Sequence, residues 1–169
     1  NGIITNFFPG LGQAAFVGFY PPAQREESLH VLRPVDFAPI PANRPLVTFK
    51  VVMHLVDSTN GQFDDFRWSV YNTNGTRLFS LDFENSSLGI NYGLDDSAGY
   101  VPTGLGFDND GSYDLEVTMN FAHNLWSASL NDYIVINSKP ISTAGSPLNL
   151  GDIDAVWFIS HPATPGDNF

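Results

Sequence analysis

Residues 113–136 confine this chain to antiparallel β-structure. Tyr113, Leu115, Val117, Met119 and Phe121 alternate with Asp114, Glu116, Thr118 and Asn120. Successive side chains of a strand point to opposite faces, so this run has one apolar face and one wet face. A helix would scatter the same residues around its axis. The pattern returns in Trp126, Ala128 and Leu130 against Ser127, Ser129 and Asn131, and again in Tyr133 to Asn137 through Ile134 and Ile136. Three such runs joined by short polar turns read as a β-meander.

The same alternation extends upstream. Phe66, Trp68 and Val70 alternate with Arg67, Ser69 and Tyr71, and after Asn74-Gly75 the chain resumes as Thr76 to Phe83. Both residues of Asn-Gly tolerate the positive φ of a type I′ turn, so Asp65 to Phe83 is expected to be a hairpin. Leu46 to Val56 is more continuously apolar, which fits a central strand covered on both sides, with Lys50 and His54 interrupting one face. Further strands are expected at Ala14 to Tyr20, Ser28 to Leu32, Leu88 to Tyr92 and Ile153 to Ser160. No segment repeats its apolar residues at helical spacing behind a capped start. Pro21-Pro22, Pro34 to Pro45 and Pro162 to Pro165 read as loops crossing between sheets, because strand patterning resumes within a few residues. About ten strands can hide their apolar faces by pairing two sheets. The expected fold is an all-β, two-sheet antiparallel sandwich of the jelly-roll kind.

Length and charge narrow the partners. A chain of 169 residues fits one domain, 1–169, large enough for a real core. Its formal charge of −11 would repel a phosphate backbone and an anionic lipid surface, so nucleic acid and membrane are poor partners. No apolar run approaches the length of a membrane span. The absence of cysteine excludes a disulfide framework, a thiolate metal site and a cysteine nucleophile. Asn1 is not an initiator Met, which fits a processed start and an exported, secreted or cell-surface protein. The chain stops just after a turn-like Pro165-Gly166-Asp167-Asn168, which leaves room for a final strand missing after Phe169.

The stretch Ser112 to Ile141, SYDLEVTMNFAHNLWSASLNDYIVINSKPI, resembles the concanavalin A-like lectin/glucanase superfamily in its bacterial laminin-G-like branch. The features that carry the likeness are the strand Tyr113 to Phe121, the turn Asn124 to Trp126, a second strand to Leu130, the polar turn Asn131-Asp132 and a third strand Tyr133 to Ile136. The closing Pro165 to Phe169 also looks like the approach to the last strand of such domains. The resemblance covers the C-terminal two thirds and implies a jelly roll, a scaffold shared by lectins, glycoside hydrolases, lyases and adhesion modules.

Against that background no catalytic constellation stands out. A retaining glycanase needs two carboxylates about 5 to 5.5 Å apart. Asp152 and Asp154 share a face without the further Glu such a motif carries, while Asp114 and Glu116 lie opposite a clean apolar row and read as a solvated face. No Gly-x-Ser-x-Gly occurs, and His30, His54, His123 and His161 lack the spacing of a metal cluster. Acidic loops at Asp57 to Asp65, Asp95-Asp96 and Asp108 to Gly111 offer oxygen ligands for a structural calcium ion. The superfamily resemblance implies Asp64, Asp65, Asp167 and Asn168 as its ligands. Sugar recognition calls for an aromatic platform beside polar side chains. Trp68, Trp126 and Trp157 fall on apolar faces and are expected in the core. Tyr71, Tyr92 and Tyr100 fall on polar faces or in loops, and Arg67 shares a face with Tyr71, so Arg67, Tyr71, Tyr92 and Tyr100 form the expected ligand-binding set. The expected function is a non-catalytic, carbohydrate-binding module of an exported bacterial protein. The alternatives are a glycan-cleaving enzyme, drawing on Asp152, Asp154, Asp114 and Glu116, and an adhesion or structural module.

Overall fold

The computed structural model describes residues 2–18, 28–96 and 98–169, with backbone alone for 28–34 and 36. These residues form twelve strands and no helix. The strands are β1 (Gly2–Thr5), β2 (Gln13–Phe16), β3 (Ser28–Phe37), β4 (Leu46–His54), β5 (Asp65–Tyr71), β6 (Arg77–Glu84), β7 (Gly89–Leu94), β8 (Tyr100–Gly106), β9 (Ser112–Asn120), β10 (Leu125–Leu130), β11 (Tyr133–Pro140) and β12 (Leu150–Phe158). Every pairing is antiparallel. One sheet runs β3-β12-β5-β6-β7-β8, a second runs β11-β10-β9-β4, and β1-β2 is a separate hairpin. The jelly-roll sandwich expected from the alternation is present.

The meander forms, but the alternation expected through Ile134 and Ile136 fails in β11, where irregular register against β10 leaves Ile134 exposed and buries Val135 beside Ile136. β9, β10 and β11 are consecutive neighbours, and Leu115, Val117, Met119, Trp126, Ala128 and Leu130 turn into the core. The large sheet answers with Phe66, Val70, Phe79, Leu81, Phe83, Ile90, Ile153 and Trp157. At the centre the rings of Phe79 and Trp126 stack across the two sheets at 4.0 Å, with planes 14° apart. Burying aromatic side chains of this size is the main stabilising contribution, roughly 25 cal/mol for each Å² of apolar surface removed from water.

Two expectations change. Leu46 to Val56 is not a central strand: among the described residues β4 pairs only with β9, and its alternating burial marks an edge strand with one wet face. On that wet face Lys50 and Glu116 form an exposed ion pair at 2.6 Å. The strand covered on both sides is β6, in which Leu78 through Phe83 are all buried. The strand expected over Ala14 to Tyr20 is β2 at its start, while residues 19 and 20, like Pro21-Pro22, lie outside the described residues.

Candidate site on the outer face of the six-stranded sheet

Side chains of β5 that point away from the core are Asp65, Arg67, Ser69 and Tyr71. Register brings to the same face Ser80, Asp82 and Glu84 from β6, Asn91 and Gly93 from β7, and Asp154 and Phe158 from β12. An outer face normally stays wet, yet Ser80 is 0% exposed, Ser69 2% and Asp82 3%. A carboxylate withdrawn from water must be paired and hydrogen-bonded. Asp82 is: Arg67 Nε donates to its Oδ1 at 2.6 Å and Asn91 Nδ2 to its Oδ2 at 3.2 Å. The hydroxyls of Ser69 and Ser80 bond each other at 2.7 Å beside it.

Aromatic rings complete the arrangement. The guanidinium carbon of Arg67 lies 4.0 Å from the centre of the Phe158 ring and 4.4 Å from that of Tyr100, so the cation is held against two π faces. Tyr100 starts β8, two strands away from β6, and reaches inward because its partner across the ladder is Gly93. A Cβ at that position would stand 3.1 Å from the Tyr100 ring. Arg77 Nη1 donates to the Tyr100 hydroxyl at 3.1 Å and Nη2 to the Leu94 carbonyl at 2.8 Å, which fixes the ring from its far side.

Asp65 has a different environment from Asp82. Burial, with the Asp82 charge second, pushes its carboxyl up to about 6, although Arg67 Nη2 stands 3.9 Å away. Burial and the Asp154 charge likewise raise the Tyr71 phenol, which places Tyr71 over the same face.

Of the expected ligand-binding set, the structure brings together Arg67, Tyr71 and Tyr100. Tyr92 is a correction. In β7 the inward positions are Ile90, Tyr92 and Leu94, and Tyr92 packs against the core with its ring 6.5 Å from Trp126 and under Lys139 at 5.3 Å. The side chain that β7 gives to the site is Asn91. Asp82, Asn91 and Phe158 were missed. The available signal was a Ser and an Asp alternating inside an otherwise apolar strand, Leu78 to Phe83. Trp126 and Trp157 are core residues as expected, while Trp68 is only partly buried and tilts against Phe49 at 5.0 Å.

The residues expected to hold calcium take part in hydrogen bonds within the chain. Asp64 is fully buried, with Trp157 Nε1 and Gly166 N donating to its Oδ2 at 2.9 Å and Ser160 N to its Oδ1 at 3.0 Å. Gly166 can sit there because it lacks a Cβ, which would stand 2.7 Å from the Gln62 carbonyl. Asn168 Nδ2 donates to the Asp64 carbonyl at 2.9 Å. Asp167 faces the turn Ser58-Thr59-Asn60, accepting at Oδ1 from Ser58 Oγ (2.7 Å), Thr59 N (2.8 Å) and Asn60 N (3.3 Å) and at Oδ2 from Thr59 Oγ1 (2.5 Å). Asp65 lies on the outer face with Arg67. Three of the four residues therefore meet in one corner of the fold, with their oxygens already facing N–H and O–H donors. Among the described residues no group of three or more His, Asp or Glu is arranged to hold a metal ion.

A second loop uses the same device. Asp95 accepts from Ser142 Oγ at 2.5 Å, Thr143 N at 2.7 Å, Thr143 Oγ1 at 2.9 Å and Ala144 N at 3.1 Å. The two turns are Ser58-Thr59-Asn60-Gly61 and Ser142-Thr143-Ala144-Gly145, and their glycines have φ of +76° and +77°. Side chains rarely adopt that conformation, so glycine closes both turns. Burial pushes the Asp95 carboxyl up, but bonds from Ser142, Thr143, Ser146 and Ala144 outweigh it and hold it well below the usual carboxylate range. Bonds from Thr59 and Ser58 do the same for Asp167.

No protein-family model matches the sequence, and neither does any curated protein. Solved structures do share the fold. A tetrameric galectin from the ball sponge Cinachyrella sp. matches over 76% of this chain and 87% of its own, with 15% identity and a TM-score of 0.53. A sialidase matches over 82% of this chain with 9% identity and a TM-score of 0.55, and this chain spans 11% of that protein's length. The chain shares the antiparallel jelly-roll sandwich fold of these structures.

Proposed function

We propose that the outer face of the six-stranded sheet binds carbohydrate without cleaving it. The observation that supports this most is the Arg67 guanidinium held between Phe158 and Tyr100 above the Asp82-Asn91 pair. A pyranose offers an apolar C–H face and a rim of hydroxyls, and this face offers half-buried rings beside fixed donors and acceptors. The likeness to a galectin fold supports the same reading. The laminin-G-like branch is the finer placement we propose with it, on the pattern of Ser112 to Ile141.

The charge of the face selects among sugars. Asp65, Asp82, Glu84, Asp152 and Asp154 stand against Arg67 and Arg77 among its described residues, so neutral glycans are favoured over sulfated or carboxylated ones. Isothermal titration against neutral and anionic oligosaccharides, with and without calcium, tests the reading. Heat with a neutral glycan that disappears in Tyr100→Ala supports it. Silence across the whole panel refutes it.

One observation favours glycan cleavage as a second reading. Asp65, whose carboxyl holds its proton to about pH 6, shares Arg67 with the Asp82 carboxylate. A raised and a paired carboxyl on one face are the ingredients of acid-assisted hydrolysis. New reducing ends, released by the wild type and not by Asp65→Asn, would decide for cleavage over binding alone.

A further inference from the structure

The opposite face of the same sheet carries a second feature, unrelated to the carbohydrate reading. The four-stranded sheet stops at β4, and among the described residues no strand pairs with the far edge of β4. The inner faces of β5 and β12 therefore run past the second sheet, and among the described residues the β1-β2 hairpin covers them. Beneath the hairpin lies a cavity of about 580 Å³. Its walls include Phe49, Val51 and Met53 of β4, Trp68 of β5 and Ile153 and Ala155 of β12, with Phe7, Phe8 and Phe16 above. Gln13 and His54 are the strongly polar side chains among the lining residues, since the side chain of Arg67, also on the lining, turns to the outer face.

Shape and chemistry together limit the occupant. The volume falls within the range of about 300 to 1,000 Å³ usual for small-molecule sites. The lining follows β4 from Phe49 to Leu55, which at about 3.3 Å per residue is roughly 20 Å of strand. A cavity that follows a strand over that length, with walls this apolar, suits an extended hydrocarbon chain. Water gains little from walls that offer it so few partners, and cavities lined by aliphatic and aromatic groups stay dry and accept apolar molecules.

We propose that this channel binds one linear hydrocarbon chain, as in a fatty acyl group. The hairpin acts as its cover: Phe7 packs edge-on against His54 at 5.1 Å and Phe16 against Phe169 at 5.9 Å. Side-chain contacts of this kind can part and close without breaking a sheet ladder.

The two methionines provide a direct test. Met53 lines the channel, whereas Met119 is fully buried in the main core. In protein carrying ¹³C-methyl methionine, sodium dodecanoate below its micelle concentration is expected to shift the Met53 resonance saturably, at one equivalent, with Met119 unmoved. Ala155→Phe places a ring in the channel and is expected to weaken binding at least about tenfold, the equivalent of about 1.4 kcal/mol. Should that variant not fold, Val51→Phe takes its place. A Met53 resonance that stays fixed, or one that drifts without saturation together with Met119, overturns the proposal. Excess neutral disaccharide should leave Met53 unmoved, which separates this site from the outer face.

Discussion

Replacing Asp64 by Ala should unfold this domain more readily than any surface change. The carboxylate accepts three hydrogen bonds: from the Trp157 indole and the Gly166 amide, both withdrawn from water, and from the amide of Ser160 at the edge of the buried region. A hydrogen bond to a charged acceptor is worth about 1.5 to 3 kcal/mol, and a buried donor left alone costs about 1 to 3 kcal/mol. Water entering the vacated space recovers part of this, so the expected loss is about 4 to 6 kcal/mol. For a domain of this size that corresponds to a fall in Tm of about 8 to 24 °C. Guanidinium unfolding followed by far-UV circular dichroism measures it without relying on Trp157. A double-mutant cycle of Asp64→Asn with Trp157→Phe should give a coupling of about 1.5 to 3 kcal/mol, since the two share one bond. A loss below about 1 kcal/mol for Asp64→Ala would refute the accounting. A wild-type Tm that climbs on adding calcium would show that these oxygens prefer a cation to their N–H donors.

Other expectations follow from the same geometry. Gly93→Val should push the Tyr100 ring off Arg67 and weaken glycan binding about tenfold in titration, while leaving the strand intact because valine suits a pleated ladder. Asp65 holds its proton more tightly folded than unfolded, so stability should fall as pH rises from about 4 to 6 and stay lowered above that. Asp65→Asn should flatten this slope in urea titrations run at pH 4, 5, 6 and 7, and an unchanged slope would count against it. Asp95 and Asp167 have the opposite sign, because their folded carboxyls sit below the unfolded value. Their contribution is complete above about pH 4 and lost as pH falls further. Asp95→Ala should speed hydrogen exchange at Thr143 and Ala144, and Asp167→Ala at Thr59 and Asn60, on the order of tenfold. Equal rates in variant and wild type would show that the turns hold without their carboxylates.

The meander was legible because β9 and β10 each have one buried face, so period two is written directly into Tyr113 to Leu130, whereas β11 breaks it with Ile134 exposed and Val135 and Ile136 both buried. β8 was not. Tyr100 to Gly106 is an edge strand with Pro102 and two glycines and little buried surface, and such a strand leaves no alternation to read. β4 misled through composition: Val52 is apolar but faces water, so a run that looked two-sided is one-sided. Tyr92 misled because tyrosine is tolerated on either face, and only its neighbours Ile90 and Leu94 give its direction. The site itself joins residues far apart in sequence. Arg67 meets Tyr100 only because Gly93 leaves space between them, a condition that emerges from register alone. Asp64 was singled out as a candidate calcium ligand, and its place against three N–H groups could not be read from spacing.

The paired Ser-Thr-x-Gly turns have a consequence for a chain that has no cysteine. Asp167 fastens residues about 108 positions away and Asp95 residues about 48 away. Unlike a covalent bridge, these bonds exist only in the folded chain, so they tie distant segments together without restricting the unfolded one, and closing a longer loop adds only slowly to the cost. The two carboxylates thus serve as reversible cross-links whose release depends on protons instead of thiols. Reducing conditions leave them untouched, and strong acid opens both together.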